Sequence, residues 1–163
     1  YITTKDENYK IVAKTSFDFL LSKIFVNEVI KVISNKGWLQ NDNSSITAPI
    51  GGEQPIDVAY TIIALSKFYD IIREDDYLQK MKIAFDWFLG KNHLCQIIYN
   101  PSTGGCYDGL EDTYINLNQG AESTVSYLMA RLIMEKYVTE NEKATHKSES
   151  YPKKRSINQT IGI

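Results

Sequence analysis

Two neighbouring segments of this chain join a glycine-rich loop to the start of a helix: Gly104-Gly105-Cys106-Tyr107-Asp108-Gly109-Leu110 and Asn116-Leu117-Asn118-Gln119-Gly120-Ala121-Glu122-Ser123. The region carries acids at Asp108, Glu111, Asp112 and Glu122, and amides or hydroxyls at Asn116, Asn118, Gln119 and Ser123. Apolar residues then follow at helical spacing, at Val125, Leu128, Met129, Leu132 and Ile133. Such a loop, running directly into a buried helix, commonly presents side chains at the mouth of a pocket. A structural loop with a helix cap explains the residue types equally well.

An earlier segment, Gly51-Gly52-Glu53-Gln54-Pro55-Ile56-Asp57, has the same order of glycines and then Glu and Gln before a helix. We therefore expect two helix starts that bring their polar ends to one site. Glu53 and Asp57 are four residues apart, which on a helix places both carboxylates on one face. Paired carboxylates suit glycosidic-bond chemistry, in which one protonates the leaving oxygen and the other acts as base or nucleophile.

Each of these acids also has a purely structural explanation. Glu53, Asp57 and Glu122 lie near predicted helix starts, where acids stabilise the helix dipole. Asp108 lies between Tyr107 and a glycine, where an Asx turn is common.

The apolar periodicity predicts a mainly α fold with helices near residues 8–24, 55–73, 77–89 and 119–138. Short strands are expected at 25–33, which is rich in β-branched residues, and near 96–107. Few residues separate the second and third helices, which predicts an antiparallel αα-hairpin. We expect a helical-hairpin domain over residues 1–138 and a polar terminal extension over 139–163. One core is predicted to contain Phe17, Phe68, Phe85, Trp87 and Leu128.

Composition excludes several classes of function. A net charge of −2 provides no electrostatic footprint for nucleic acid, and no apolar run is long enough for a membrane span. Hydrophobic content of 43% and charged content of 23% are typical of ordinary globular chains, and we expect a cytoplasmic location. The chain does not begin with Met, and the sequence fits a fragment of a longer protein as well as a complete one.

Neither a metal nor an organic cofactor is expected. His93, Cys95, Cys106 and Asp108 match none of the short-range zinc spacings, and the two cysteines are expected to be unpaired. The sequence contains no P-loop, nucleophile elbow or dinucleotide fingerprint. General acid–base work would therefore fall to carboxylates or tyrosine.

Five motifs stand in an order that resembles the C-terminal helical region of bacterial glycosyltransferase-associated proteins: Gly37-Trp38, Glu53-Gln54-Pro55-Ile56-Asp57-Val58-Ala59, Trp87-Phe88-Leu89-Gly90-Lys91-Asn92, Gly104-Gly105-Cys106-Tyr107-Asp108-Gly109 and Asn118-Gln119-Gly120-Ala121-Glu122-Ser123-Thr124. The resemblance covers about residues 9–138 and implies a six-hairpin (α/α) toroid, a fold shared with glycoside hydrolases and sugar epimerases. Its site would lie in the funnel formed by the inner-helix ends. This chain would form a partial toroid, because it has fewer helices than a complete one. The histidine pair of sugar 2-epimerases is not recognisable, which argues against that chemistry.

The resemblance implies a carbohydrate-processing domain of a glycan hydrolase or glycosyltransferase system. A glycosyltransferase domain is then expected upstream in the full-length chain. The candidate catalytic acids are Glu53, Asp57, Asp108 and Glu122. The candidate sugar-binding residues are Trp38, Gln54, Tyr107, Asn118 and Gln119. The alternatives are a non-catalytic glycan-binding module and a purely structural helical domain.

Overall fold

A computed structural model describes residues 1–35 and 50–149, with side chains as far as residue 137. This part of the chain is mainly helical, as predicted. Its elements are α1 (Glu7–Ile24), β1 (Phe25–Val26), β2 (Val29–Ile30), α2 (Pro55–Ile72), α3 (Asp75–Asp86), β3 (Gly109–Leu110), β4 (Ile115–Asn116) and α4 (Ala121–Glu149). Within it no helix is long and apolar enough to cross a membrane.

The first helix ends in a small hairpin, which confirms the predicted strand region. Asp6 caps α1 by accepting a hydrogen bond from the amide of Asn8. Strands β1 and β2 then pair antiparallel, with Phe25 opposite Ile30. Asn27 and Glu28 have φ angles of 52° and 60°, which two-residue hairpin turns of this kind require.

Helices α2 and α3 form the predicted antiparallel hairpin. Pro55 occupies the first turn of α2, where its missing N–H has no intrahelical partner to lose. Arg73 adopts the left-handed conformation at the end of α2, and Glu74 is already the N-cap of α3. Because only these two residues connect the helices, the chain must turn back on itself.

The core lies between these two helices and α4. The buried stripe of α3 consists of Tyr77, Leu78, Met81 and Ala84, and it continues to Trp87 and Phe88 just past the helix. Both Trp87 and Phe88 are 0% exposed, and their rings pack edge to face with 5.2 Å between the ring centroids. Three further rings, of Phe17, Phe68 and Tyr77, join α1 to the α2–α3 hairpin.

Helix α4 runs parallel to α2. Near the C-terminal end of α2 and about midway along α4, the Tyr137 hydroxyl donates to Asp70 at 3.0 Å and Lys136 forms a salt bridge with Asp70 at 3.2 Å. At the opposite end, Gln54 before α2 and Ala121 at the start of α4 line one pocket. Helix α1 runs parallel to α3. Lys14, in the middle of α1, contacts Glu74 just before α3, and Leu21, near the end of α1, lines one groove with Ile83 near the end of α3. The four helices therefore alternate in direction along the chain.

One predicted core face is wrong. On α4, Val125, Leu128, Met129 and Leu132 are exposed, and Leu128 is not part of the core. The face that packs on α2 and α3 instead carries Ser123, Ser126, Tyr127, Ala130, Met134 and Tyr137. Small residues on this face allow close helix approach, and the tyrosines fill the remaining space.

The predicted end of the last helix is also wrong. Helix α4 starts at Ala121 and continues to Glu149, so residues 139–149 of the predicted extension are helical. The sequence has no glycine or proline between Ala121 and Tyr151, and Glu, Lys and Ala are good helix formers. Polar composition alone therefore did not mark a helix end.

Candidate functional site

A pocket of about 360 Å³ opens where the N-terminal ends of α2 and α4 meet the β3–β4 hairpin. Its lining is polar and contains carboxylate, amide and hydroxyl side chains together with backbone. The lining residues are Asn35, Gly52, Glu53, Gln54, Asp108, Gly109, Glu111, Asn116, Gly120, Ala121, Glu122 and Ser123. No lysine, arginine or aromatic residue occurs among these described residues.

The wall of the pocket is built by pairing the segment before α2 with β3. The Glu53 amide donates to the Leu110 carbonyl at 3.0 Å, and the Leu110 amide donates back to Glu53 at 2.9 Å. Gly109 permits this approach, because a Cβ there would lie 2.6 Å from the Glu53 carbonyl oxygen. The glycine-rich segments 51–57 and 104–110 are thus in direct contact, although they are far apart in sequence.

Gly51 and Gly52 place this segment between two other parts of the chain. Gly51 has a φ angle of +82°, and a Cβ there would lie 2.4 Å from the Asp112 amide. On the other side, the Asn35 amide donates to the Gly52 carbonyl at 2.9 Å. The glycines therefore allow the backbone before α2 to be enclosed on both sides.

Asp108 holds the start of α4 in place. Its Oδ1 accepts hydrogen bonds from the Gly120 amide at 2.8 Å and the Ser123 hydroxyl at 2.7 Å. Its backbone amide donates to the carbonyls of Asn116 and Asn118. Asp108 is therefore a cap supplied from a distant loop rather than the local Asx turn considered above. Oδ1 is committed to the fold, whereas Oδ2 has no hydrogen bond within the described part.

We predict that Asp108→Ala lowers the free energy of unfolding by about 1–2 kcal/mol, because it removes a helix cap. Urea unfolding followed by circular dichroism would measure the loss. Ser123→Ala should cost less, since the Gly120 amide keeps its partner. Equal losses for the two variants would contradict the assignment of Asp108 as the principal cap.

Glu53 is engaged by internal partners through both carboxylate oxygens. Its side chain is 10% exposed; Oε2 accepts from the Trp87 indole at 2.7 Å, and Oε1 lies 3.2 Å from Nδ1 of His93. Burial raises the pKa of Glu53, while the Trp87 hydrogen bond and His93 act in the opposite direction. These contacts favour a structural role for Glu53 over the predicted catalytic one.

Glu53 and Asp57 do not form the predicted pair on one helix face. The N-cap of α2 is Gln54, so Glu53 precedes the helix and is held in extended backbone by Leu110. Asp57 lies in the first turn of α2, is partly buried, and is not among the residues that line the pocket. Burial is the main reason that the pKa of Asp57 is raised, and the negative charge of Glu122, rather than that of Glu53, raises it further.

The other predicted site residues divide into two groups. Gln54 and Glu122 line the pocket with Asp108. Tyr107, Asn118 and Gln119 are not among the lining residues: the Tyr107 hydroxyl accepts from Asn100 at 3.0 Å, and Gln119 accepts from Thr103. Trp38 lies outside the described residues.

Sequence reasoning did not find two residues of this region, Asn35 and His93. Asn35 lines the pocket, and His93 contacts the buried Glu53. His93 lies in a loop organised by Asn92, whose amide donates to the carbonyls of Trp87 and Gln96. No local pattern in the sequence links His93 to Glu53, because the contact depends on how the loop after α3 packs.

Neither cysteine forms a disulfide, as predicted: Cys95 is exposed and Cys106 is buried, and both are free. Burial raises the pKa of the Cys106 thiol to about 12, so it stays protonated at neutral pH. Among the residues whose side chains the structure describes, no three His, Cys, Asp or Glu residues are arranged to hold a metal ion.

Comparison with protein-family models and with curated proteins finds no match for this chain.

Proposed function

We propose that the pocket binds a carbohydrate and that the chain is a helical-hairpin domain of a carbohydrate-processing protein. The observation that carries the proposal is the lining of the pocket. Asp108, Glu111 and Glu122 supply carboxylates, and Asn35, Gln54 and Asn116 supply side-chain amides. Sugar hydroxyls both donate and accept hydrogen bonds, and the described lining residues offer them acceptors and amides, with no lysine or arginine among them.

The alternation of helix direction supports a partial toroid. Helices α2 and α4 run parallel, α3 runs back between them in the chain, and the pocket lies at the N-terminal ends of α2 and α4. In this proposal α2 and α4 are inner helices, and α1 and α3 are outer ones. A cytoplasmic location and an upstream glycosyltransferase domain belong to the same proposal.

Asp57 and Glu122 are the best candidates for an acid–base pair. The two carboxyl groups lie in different environments: Asp57 is partly buried and near the charge of Glu122, whereas Glu122 is exposed at the start of α4. In a hydrolase, Asp57, which is not itself among the lining residues, would act as the acid for the leaving oxygen, and Glu122 would act as base or nucleophile.

A non-catalytic glycan-binding module is the second candidate. It is favoured by the internal contacts of Glu53 and of Asp108 Oδ1, which remove two of the four predicted catalytic acids from free participation. The two candidates share the pocket and differ only in whether the bound sugar is cleaved.

Binding can be tested by saturation-transfer NMR and calorimetry with a panel of neutral mono- and oligosaccharides. We expect one or more sugars to bind, and Glu122→Gln to weaken binding by about tenfold or more, since hydrogen bonds to charged groups contribute about 1.5–3 kcal/mol. Glu7→Gln is the matched control, because Glu7 also lies in the first turn of a helix but away from the pocket. Absence of binding across the panel, or equal weakening by both substitutions, would contradict the proposal.

A further inference from the structure

A chain of contacts through Glu53 and His93 connects the end of α3 to the wall of the pocket. The Trp87 indole donates to Glu53 Oε2 at 2.7 Å, and Glu53 Oε1 lies 3.2 Å from His93 Nδ1. His93 Nε2 lies 2.8 Å from the carbonyl oxygen of Glu111, which lines the pocket in the β3–β4 turn. We propose that Glu53 and His93 are a positioning pair that shares one proton and thereby holds the β3–β4 wall of the pocket in place.

The proton count follows from the partners of the imidazole ring. A carbonyl oxygen can only accept, so Nε2 must carry hydrogen to bond Glu111. Nδ1 then faces Oε1 either as a lone pair, which requires a protonated Glu53, or as N–H, which requires an imidazolium. In both arrangements one proton lies between Oε1 and Nδ1, and both hydrogen bonds of His93 are made.

Losing that proton breaks one of the two hydrogen bonds. A neutral imidazole has a single N–H, whereas an ionised Glu53 and the Glu111 carbonyl are both acceptors only. If the N–H stays on Nε2, the Nδ1 lone pair faces a carboxylate. If it moves to Nδ1, the contact with the wall residue Glu111 is lost. The connection from Glu53 through His93 to the wall residue Glu111 is therefore complete only while the pair retains its proton.

The surroundings determine the direction of the pH effect. Burial raises the pKa of Glu53 and is the largest influence on it. Three groups lower the pKa of Glu53: the Trp87 indole, His93 and the charge of Lys31 beyond β2. The β3–β4 turn adds a negative charge, the Glu111 carboxylate, which lines the same pocket. A carboxyl whose pKa is raised on folding stabilises the fold below its unfolded pKa and loses that contribution as pH rises through the folded pKa. The wall should therefore loosen on the alkaline side.

Glu53→Gln provides a sharp test, because an amide reproduces the protonated state at every pH. Its oxygen can accept from the Trp87 indole, and its NH₂ group can donate to a neutral His93. The readout is hydrogen exchange of the Leu110 amide, which bonds the Glu53 carbonyl in the wall. The Ile62 amide in the buried middle of α2 is the reference for global opening. For the exchange and indole measurements all variants carry Trp38→Phe, so that the remaining indole N–H resonance belongs to Trp87, whereas sugar binding is measured with Trp38 intact.

Between pH 5.5 and 9, we expect Leu110 protection, corrected for intrinsic exchange, to fall about three- to tenfold, the equivalent of one hydrogen bond. The Trp87 indole resonance should shift over the same range, and Ile62 protection should fall by no more than Leu110 protection, because global unfolding also releases the pair. Glu53→Gln should abolish both changes, and His93→Ala should reduce Leu110 protection at every pH. Unchanged Leu110 protection in the Trp38→Phe parent, or an equal pH effect in Glu53→Gln, would each overturn the proposal.

The effect of this pair on a ligand rests on the proposed function, but its test does not. If no sugar binds while Leu110 protection shows the pH effect and Glu53→Gln removes it, the positioning pair stands and the carbohydrate proposal fails. If a sugar binds with pH-independent affinity and Leu110 protection is constant, the carbohydrate proposal stands and the positioning pair is wrong.

Discussion

Trp87→Ala is expected to lower the free energy of unfolding by about 3–5 kcal/mol, because a fully buried aromatic ring is replaced by a cavity. Trp87 is 0% exposed and packs edge to face on Phe88. The substitution also removes the indole donor of the buried Glu53 carboxylate. An unpaired buried acceptor adds its own desolvation cost, so the loss should fall at the upper end of the range.

Urea unfolding followed by circular dichroism would measure this loss. Leu128→Ala is the control, because Leu128 is 46% exposed on the outer face of α4 and should cost within about 0.5 kcal/mol. Trp87→Phe separates the cost of the cavity from the cost of the lost hydrogen bond, since it keeps most of the apolar volume but leaves Glu53 without its donor. A loss below about 1 kcal/mol for Trp87→Ala would contradict the assignment of Trp87 to the centre of the core.

Asp57→Asn is expected to reduce cleavage of a bound glycoside by about 10²–10⁴-fold if the domain is a hydrolase, because it removes the proposed general acid. The same substitution should raise stability at neutral pH. Burial and the charge of Glu122 raise the pKa of Asp57, so its ionised form is disfavoured in the folded protein. Replacing it with a neutral amide removes that cost, as in other exchanges of activity for stability.

The sign of the pH dependence follows from the raised pKa. Asp57 contributes most favourably at a pH below its unfolded pKa, and the contribution is lost as pH rises through the folded pKa. The stability advantage of Asp57→Asn over the wild type should therefore be present at pH 7 and shrink as pH falls towards 4.

Denaturant unfolding at a series of pH values measures this difference, and release of reducing sugar measures cleavage. Asp75→Asn is the matched control, because Asp75 lies in the first turn of α3 as Asp57 lies in the first turn of α2, but is exposed. Equal effects of the two substitutions on stability would show that Asp57 acts only through the helix dipole. Undiminished cleavage in Asp57→Asn would exclude it as the acid.

Local features of the sequence were sufficient to predict the helices. Asp6 caps α1, Pro55 starts α2, and the apolar spacing of α3 matches its buried face. These features act over a few residues through hydrogen bonding, fixed dihedral angles and side-chain periodicity, so a single sequence contains them completely. The convergence of two glycine-rich helix starts on one pocket was also expected from the repeated order of residue types.

Only the tertiary structure decided which side of α4 is buried and which atoms of the site are free. Apolar residues occur on two faces of α4, and the smaller residues around Ser126 and Ala130 pack inward because they permit a closer approach to α2. Likewise, Glu53 is withdrawn from the helix by its pairing with Leu110 and held by Trp87 and His93. Its role was determined by contacts between residues distant in sequence, which local patterns of residue types do not specify.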